Sequence, residues 1–484
     1  MFKLKYSAYC GSLSAVLLPV LLTSCALPPP ARDLHNLTPQ GTYRQATPPD
    51  EHIPASEAAW WAQFDDPRLL QLIEHAQQAN PDILIALQRV QEARAGMRAA
   101  LGATVPSLSL AASASDSSSG LPDPVKQGVP DTRNRTAGLD TRWEIDLSGA
   151  LREQYSAAQH DALAADWGVR GAQLMVKGEV ARQYFLWQGA LARQSLLQQI
   201  IQRQEQQLAL LQLRLDAGLA SPLQRDQLAA ALNSQRAELP ALHSLQMACE
   251  NHLAVLLGQS PSQPLPELTL PGPGLTATLP ALSPGLPAEL LRRRPDLMAA
   301  EHKLRAEGAR LDQAYANQWP KLYLDALFGR EALTLNNVSQ VPVRFSQIGL
   351  TFTLPIFSGG RIQAAIDAQT AREQTAWLDY RRQILAALED VENSLTLRQD
   401  EARRLHALTQ ASEAQNSARH RADALLAEGQ IDQSGWLDTE RARLAAELAR
   451  TDSLVQAKLD LIQLYKAMGG GWPATAPSKG SPQS

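Results

Sequence analysis

One short stretch, from Ala137 to Leu147, alternates between two kinds of side chain. Its odd positions are apolar or β-branched, whereas its even positions carry one glycine and four charged residues, which are Asp140, Arg142, Glu144 and Asp146. A β-strand sends successive side chains to opposite faces, so the pattern predicts a strand with one apolar and one charged face. A half-buried strand of a soluble sheet could show the same pattern. A charged face also suits a water-filled lumen with lipid on the other side, and about 9–11 residues suffice for a tilted membrane strand.

The same pattern occurs a second time in the chain. The stretch from Gln347 to Ile356 alternates in the same way, with Gly349 and Leu350 in the places of Gly138 and Leu139. Each of these stretches is preceded by another short alternating segment, which starts after Pro106 in the first case and after Pro320 in the second. The repetition predicts four strands in two hairpins, and therefore an internal duplication of the chain.

Very long helical patterns follow the second strand of each pair. No proline interrupts the sequence from Gly149 to about Ala217, and apolar residues there recur at intervals of three and four. The pattern starts again at Gly360 and continues to about Glu428, and Gly218 and Gly429 end the two patterns. At 1.5 Å per residue, each helix would be roughly 100 Å long, which is far more than a globular core needs.

These patterns predict an α+β chain built from one duplicated unit. The expected segments begin with a signal peptide (1–24) and an extended arm (25–59). A first repeat (60–260) follows, with strands at about 106–116 and 136–147 and a helical hairpin at 149–258. After a proline-rich linker (261–287), a second repeat (288–470) has strands at about 320–329 and 344–357 and a helical hairpin at 359–468, and a disordered tail (471–484) ends the chain.

The N-terminus has the features of a targeting segment. Lys3 and Lys5 precede an apolar run from Leu13 to Leu22, as in a secretory signal peptide. The sequence that follows, Leu22-Thr23-Ser24-Cys25, resembles a bacterial lipobox, which implies that Cys25 becomes the lipidated first residue of the mature chain. An ordinary signal peptide with a chance cysteine is the alternative. The alanine after Cys25 resembles the signal that sorts Gram-negative lipoproteins to the outer membrane.

Composition and motifs argue against several functional classes. The net charge is −4, which offers no footprint for nucleic acid. The sequence has no His-x-x-x-His pair, no phosphate-binding loop and no Gly-x-Ser-x-Gly motif. We therefore expect a protein that is not an enzyme and that carries no metal and no cofactor apart from the covalent lipid on Cys25.

Four strands cannot close into a barrel, and open sheet edges are not tolerated in lipid. If the strands cross a membrane, the chain must therefore oligomerise.

Several spaced motifs resemble the outer-membrane factor family, the TolC-like exit ducts of Gram-negative efflux systems, and in particular its lipoprotein branch. They include Trp60-Trp61 through Phe64, Asn80-Pro81-Asp82, Leu290 to Leu297, and Leu354 to Arg361. The resemblance implies a homotrimer in which each protomer gives four strands to one twelve-stranded β-barrel, continued by a long α-helical barrel across the periplasm. It also implies partners, namely a periplasmic adaptor protein and an inner-membrane pump, commonly of the resistance-nodulation-division type.

The resemblance also points to a periplasmic gate. Lipoprotein members carry a Leu-Asp-x-x-Arg pattern at the closed tip of the helical barrel, and Leu437-Asp438-Thr439-Glu440-Arg441 matches it. The implied gate residues are Asp438 and Arg441, which share one helix face at a spacing of three. A solvated surface pair worth about 0–1 kcal/mol is the alternative. Ser434 replaces a leucine of the family pattern, which weakens the case for an apolar ring at the constriction.

The resulting hypothesis is an outer-membrane exit duct that passively conducts small molecules such as drugs or toxic compounds. Asp140, Arg142, Glu144 and Asp146 would line its lumen, either setting ion preference or forming a hydrated wall without selectivity. Two alternatives stay open: a lipid-anchored periplasmic coiled-coil protein without a pore, and a secretion duct. The two alternating strand pairs favour a duct, because a coiled-coil scaffold has no use for them.

Overall fold

The structure is a computed structural model of the 484-residue chain. It describes residues 42–44, 57–118, 120, 122, 131–269, 275, 279–280 and 287–470. Residues 1–38 lie outside this description. The signal peptide, Cys25, most of the arm, part of the linker and the tail 471–484 therefore also lie outside the described residues.

Helices dominate both halves, and their lengths repeat. In chain order they are α1 (Glu57–Ala62), α2 (Pro67–Ala79), α3 (Pro81–Gly102), α4 (Ala150–Asp216), α5 (Pro222–Leu256), α6 (Pro266–Thr269), α7 (Pro287–Arg293), α8 (Pro295–Ala316), α9 (Arg361–Ala427) and α10 (Gln433–Ala467). The helices α4 and α9 each have 67 residues, α5 and α10 each have 35, and α3 and α8 each have 22. Among the helices that the structure describes, none is long and apolar enough to cross a membrane.

Local signals explain where these helices begin and end. Asn80 caps α3 by accepting hydrogen bonds from the backbone amides of Asp82 and Ile83, and Pro81 occupies the first helical position. The long helices follow Gly149 and Gly360, whose φ angles of 83° and 80° lie in the left-handed region. Such a φ angle strains residues that have a Cβ atom, so glycine suits both junctions between strand and long helix.

Two segment boundaries differ from the expectation. Helix α1 starts at Glu57, inside the predicted arm, and α6 interrupts the predicted linker. The described part of the arm also makes specific contacts: Tyr43 packs in a buried cluster with Val391 and Leu395.

The strands form one antiparallel sheet. They are β1 (Ser107–Ser117), β2 (Thr132–Ile145), β3 (Lys321–Leu335), β4 (Val338–Ser339) and β5 (Val343–Thr353). The long strands are ordered β1-β2-β3-β5, and the two-residue β4 pairs with the end of β3. Pairing of β2 with β3 joins the two halves of the chain in one sheet. The four helices that adjoin the strands in the chain, α3, α4, α8 and α9, all connect to the end of the sheet that holds Ser107, Ile145, Lys321 and Thr353.

Three strands differ in length from the expectation. The strand β2 starts earlier, at Thr132, and ends at Ile145, before Asp146 and Leu147. The strand β3 continues to Leu335 rather than ending near residue 329, and β5 ends at Thr353 rather than near residue 357. Pairing with β2 explains the extra length of β3, because Arg330 to Leu335 lie opposite Ala137 to Thr132.

One face of the sheet is apolar and exposed in the single chain. Its side chains include Leu110 on β1, Leu139 on β2, Phe328 on β3 and Leu350 on β5. Their exposed fractions run from 45% for Leu139 to 77% for Leu110. A contiguous apolar surface of this kind marks contact with a partner or a membrane, as on the outside of a membrane barrel.

The main core lies away from the sheet, where α1 and α2 pack between the two repeats. Trp60 is 1% exposed, and its ring stacks on that of Tyr465 with 4.3 Å between the centroids. Phe64 contacts Phe185 on α4. The N-terminal aromatic motif therefore joins the first long helix to the last helix of the second repeat.

Candidate functional site: the polar sheet face and the helical tip

The face of the sheet opposite the apolar one carries charged residues in cross-strand pairs. Arg142 on β2 lies opposite Asp325 on β3, with 3.6 Å between Nε and Oδ1. The guanidinium of Arg142 also lies over the ring of Tyr323, at 4.6 Å. Glu144 pairs with Lys321, with 3.4 Å between Oε1 and Nζ. Three of the predicted lumen residues, Asp140, Arg142 and Glu144, therefore share one face.

Hydroxyl groups fill much of the rest of this face. The β1 serines at positions 107, 109, 113, 115 and 117 alternate with apolar or acidic residues on the other face. Thr351 donates a hydrogen bond from Oγ1 to Asp325 Oδ2 at 3.2 Å. Exposed ion pairs such as Arg142–Asp325 contribute only about 0–1 kcal/mol to stability. The carboxylates of Asp140 and Glu331 also lie on this face and outnumber its positive charges, so the face is polar with an excess of negative charge.

Asp146, the fourth predicted lumen residue, is placed differently. It lies beyond the end of β2, where its Oδ2 accepts a hydrogen bond from the backbone amide of Arg152 at 3.0 Å. The same carboxylate pairs with the Arg152 side chain at 3.3 Å. These contacts have a physical reason: the first turn of α4 has unpaired amides, its N-cap Gly149 has no side chain, and Asp146 supplies the acceptor. A place in the lumen wall stays a prediction for Asp146.

The sequence pattern did not identify Lys321, Tyr323 and Asp325 as part of this face. Their alternation with Leu322 and Leu324 was the available signal. Only the register of β2 against β3 shows that they face Arg142 and Glu144.

The second candidate site is the end of the helical hairpins, where α9 turns into α10. Asp438 and Arg441 pair within α10, with 3.3 Å between Oδ1 and Nη2, and both side chains are about half exposed. Asp438 Oδ1 also accepts a hydrogen bond from Gln207 Nε2 on α4 at 2.9 Å. The predicted gate pair therefore links the hairpins of the two repeats.

Other contacts hold this end of the hairpins together. Arg214 near the end of α4 pairs with Asp432, the N-cap residue of α10, at 2.5 Å. Trp436 donates a hydrogen bond from Nε1 to Asp423 Oδ1 at 2.9 Å. The guanidinium of Arg419 lies over the Trp436 ring, at 4.3 Å from its centroid. The α4, α9 and α10 segments are thus joined by polar contacts in addition to the packing of buried apolar residues such as Leu437 and Leu444.

Glu440 is the buried anchor of this network, and the sequence motif gave it no role. Its carboxylate accepts hydrogen bonds at 2.8 Å from Nε of Arg419 on α9 and Nε of Arg443 on α10. Burial by itself would raise the pKa of Glu440, but the hydrogen bonds and charges of the two arginines outweigh it and lower that pKa. The signal in the sequence was Arg443, three residues after Glu440 and one turn away on the helix.

Neither site has the features of a catalytic or metal centre. Within the part of the chain that the structure describes, no group of three or more His, Cys, Asp or Glu residues could hold a metal ion. The two sites are a hydrated, charged sheet face and a group of polar contacts at the hairpin end. These features suit conduction and its control rather than catalysis.

Comparison with known proteins assigns the chain to a family. The family model described as Outer membrane efflux protein matches twice, at residues 72–259 and 286–470. The chain is 31% identical over 425 residues to Outer membrane protein OprJ of Pseudomonas aeruginosa, covering 85% of this chain and 86% of the relative. It is 26% identical over 416 residues to the Probable outer membrane lipoprotein SilC of Salmonella typhimurium, covering 86% and 88%.

A solved structure agrees with the sequence comparisons. The outer-membrane channel OprN superposes with a TM-score of 0.80 at 29% identity, covering 93% of this chain and all of that one. The double match of the family model also confirms the internal duplication. The chain therefore belongs to the outer membrane efflux protein family, whose members are non-enzymatic efflux channels of the outer membrane.

Proposed function

We propose that three copies of this chain close into one duct and that contacts around Asp438 and Arg441 hold its periplasmic end shut. The family assignment makes the chain an outer-membrane efflux channel of a tripartite system that extends into the periplasm. The proposal concerns how this chain builds and controls that channel. It also includes lipidation of Cys25 as the anchor of the N-terminus.

The sheet is the observation that supports closure by oligomerisation. Its outer strands β1 and β5 each have one edge without a partner among the described strands. Unpaired backbone groups cost several kcal/mol each in lipid, so edges must pair in the membrane. Pairing β1 of one copy with β5 of the next removes every edge, and three copies of four long strands give twelve.

The faces of the sheet support the direction of closure. The apolar face would lie against lipid, and the face with Asp140, Arg142 and Glu144 would line the lumen. Since Arg142 pairs with Asp325 and Glu144 with Lys321, these charges largely cancel. We infer a hydrated wall with weak selectivity, in which the carboxylates of Asp140 and Glu331 give a preference for cations. Substrate choice would then belong to the pump rather than to the duct.

The hairpin end supports control of the duct. Asp438 contacts both Arg441 on its own helix and Gln207 on α4, so a movement of one hairpin past the other breaks the second contact. Glu440 stays anchored by Arg419 and Arg443, which lets the exposed pair change without unfolding α10. An adaptor protein and an inner-membrane pump, of the resistance-nodulation-division type that is common in the family pattern, would be the partners that engage this end.

Two alternatives were open from the sequence. A periplasmic coiled-coil scaffold without a pore is not supported, because the family consists of outer-membrane channels. A secretion duct would use the same architecture, and transport of small molecules rather than of folded proteins distinguishes the two.

The first test is the mass of the detergent-solubilised, lipidated protein by light scattering with the detergent contribution subtracted. Three times the mature chain mass is the expected result, together with channel conductance in planar bilayers. A stable monomer that stays in solution after Cys25→Ala would contradict closure by trimerisation.

A further inference from the structure

The apolar face of the sheet carries a group of arginines at the end that is far from the helices. They are Arg135 on β2, Arg330 on β3 and Arg344 on β5, which we call the rim arginines. All three are exposed. Strand register places them on the same face as Leu139, Phe328 and Leu350, not on the charged inner face.

The position of these residues along the strands is defined. The helices α3, α4, α8 and α9 all adjoin the other end of the sheet, so the rim arginines lie at the end that is far from the long helices. Arg330 is about 30 Å from Lys321 along β3 at roughly 3.3 Å per residue. With the usual strand tilt of about 40°, this corresponds to about 23 Å across the membrane, close to the height of the apolar band of a barrel. The rim arginines therefore lie at the outer boundary of the hydrocarbon.

The arrangement is electrostatically unfavourable for the protein alone. Arg330 and Arg344 are direct cross-strand partners, which places two like charges about 5 Å apart at their Cβ atoms. Like charges directly opposite each other destabilise a sheet. By contrast, nearby Arg133 on the same face is neutralised by Asp116, with 3.0 Å between Nη2 and Oδ2. Across the described residues, no ion pair with an acidic side chain is recorded for the rim arginines.

We propose that the rim arginines bind the phosphate groups of the phosphorylated glycolipid in the outer leaflet of the outer membrane. Guanidinium groups form bidentate, charge-assisted hydrogen bonds with phosphate. The apolar side chains just below the rim, such as Phe328 and Ile348, contact the acyl chains of the same lipid. Positive charge above an apolar band thus matches a lipid with phosphate above acyl chains, and the phosphate offsets the repulsion between Arg330 and Arg344.

A solvated charge cluster without a ligand is the competing explanation, and a binding experiment separates the two. The probe is bisphosphorylated lipid A, titrated into the full-length lipidated protein in detergent and followed by native mass spectrometry. The same lipid A without its phosphates, and phosphatidylglycerol, are the comparison lipids. The test variant combines Arg330→Gln with Arg344→Gln.

The matched control combines Arg89→Gln with Arg98→Gln, which removes the same charge from exposed positions on α3. A second variant, Arg330→Lys with Arg344→Lys, keeps the charge in case the glutamine variant fails to assemble. One arginine near an anionic lipid surface is worth about a fivefold change in binding, so the glutamine variant should bind bisphosphorylated lipid A about 30-fold more weakly. The control variant should bind like the unaltered chain. The lysine variant keeps the charge but loses the bidentate geometry, so its affinity should lie between those of the unaltered chain and the glutamine variant.

Three results would overturn the proposal. One is equal binding of bisphosphorylated lipid A to the unaltered chain and the glutamine variant. Another is equal binding of lipid A with and without phosphates to the unaltered chain, which needs no variant. The third is equally tight binding of phosphatidylglycerol, which would mean attraction to any anionic lipid. The oligomer mass is measured on the same samples, so failure of trimer assembly is told apart from failure of lipid recognition.

Discussion

Loss of the Asp438–Arg441 contact should open the periplasmic end of the channel. The double substitution Asp438→Ala with Arg441→Ala removes the 3.3 Å ion pair and the 2.9 Å hydrogen bond from Gln207. The ion pair lies within α10 and is worth about 0–1 kcal/mol in either state, so it does not by itself favour closure. The hydrogen bond to α4 is broken when the hairpins move apart, and it is worth about 1 kcal/mol. Repeated in three protomers, this hydrogen bond biases the closed state by about 3 kcal/mol, or a factor of about 10² in the ratio of closed to open.

The assay combines two readouts. Single-channel conductance in planar bilayers should rise and become less noisy in the double variant. Cells that express it should admit a large glycopeptide antibiotic that the unaltered channel excludes. The matched control is Asp379→Ala with Arg382→Ala, which removes an exposed pair of the same helical spacing at 2.9 Å in the earlier part of α9. Unchanged conductance and antibiotic entry, or equal changes in the control variant, would refute the gate.

Four further changes test other parts of the structure. Glu440→Gln should lower the melting temperature at neutral pH. Because folding lowers the pKa of Glu440 below its usual 4.5, its contribution to stability is full above pH 4.5 and is lost as the pH falls through the folded value. The melting temperatures of the two proteins should therefore converge in acid. Trp60→Ala should cost about 3–5 kcal/mol in unfolding free energy, since the ring is buried and stacked on Tyr465, and chemical denaturation measures it. Asp140→Asn should reduce the preference for cations in reversal-potential measurements without changing the closed state. Cys25→Ala should abolish incorporation of labelled fatty acid while the protein still forms trimers, and incorporation that persists would place the lipid elsewhere.

Periodic features of the sequence predicted the architecture well. Alternation with period two identified the strand pairs, because a strand must present one face to each environment. Proline-free runs between matched glycines gave the long helices to within a residue or two. Strand ends were harder, since β3 follows its partner β2 as far as Leu335 and the alternation of β3 itself does not show where that pairing stops.

The candidate sites were predicted less completely than the fold. Asp146 matched the lumen pattern but is used by the first turn of α4, a competition between strand and helix that periodicity cannot decide. Lys321 and Asp325 were missed because their partners are far away in the sequence and are brought close only by strand register. Glu440 was missed because its burial and its contact with Arg419 depend on the packing of α9 against α10, although its other partner, Arg443, is only three residues away. Resemblance identified Asp438 and Arg441, yet their contact with Gln207 on the other repeat was not visible in the motif.

The two hairpins of each chain have the same lengths but different chemistry at their ends. In the first repeat, the places that correspond to Asp438 and Arg441 are occupied by Gln227 and Ala230, neither of which is charged. A trimer would therefore present six hairpins of similar length in two alternating kinds. Three carry the Asp438–Arg441 pair near their ends, and three have uncharged residues in its place. If only the hairpins with this pair move, three moving hairpins would alternate with three fixed ones around the aperture. A docking partner would then meet two different surfaces in alternation around the ring.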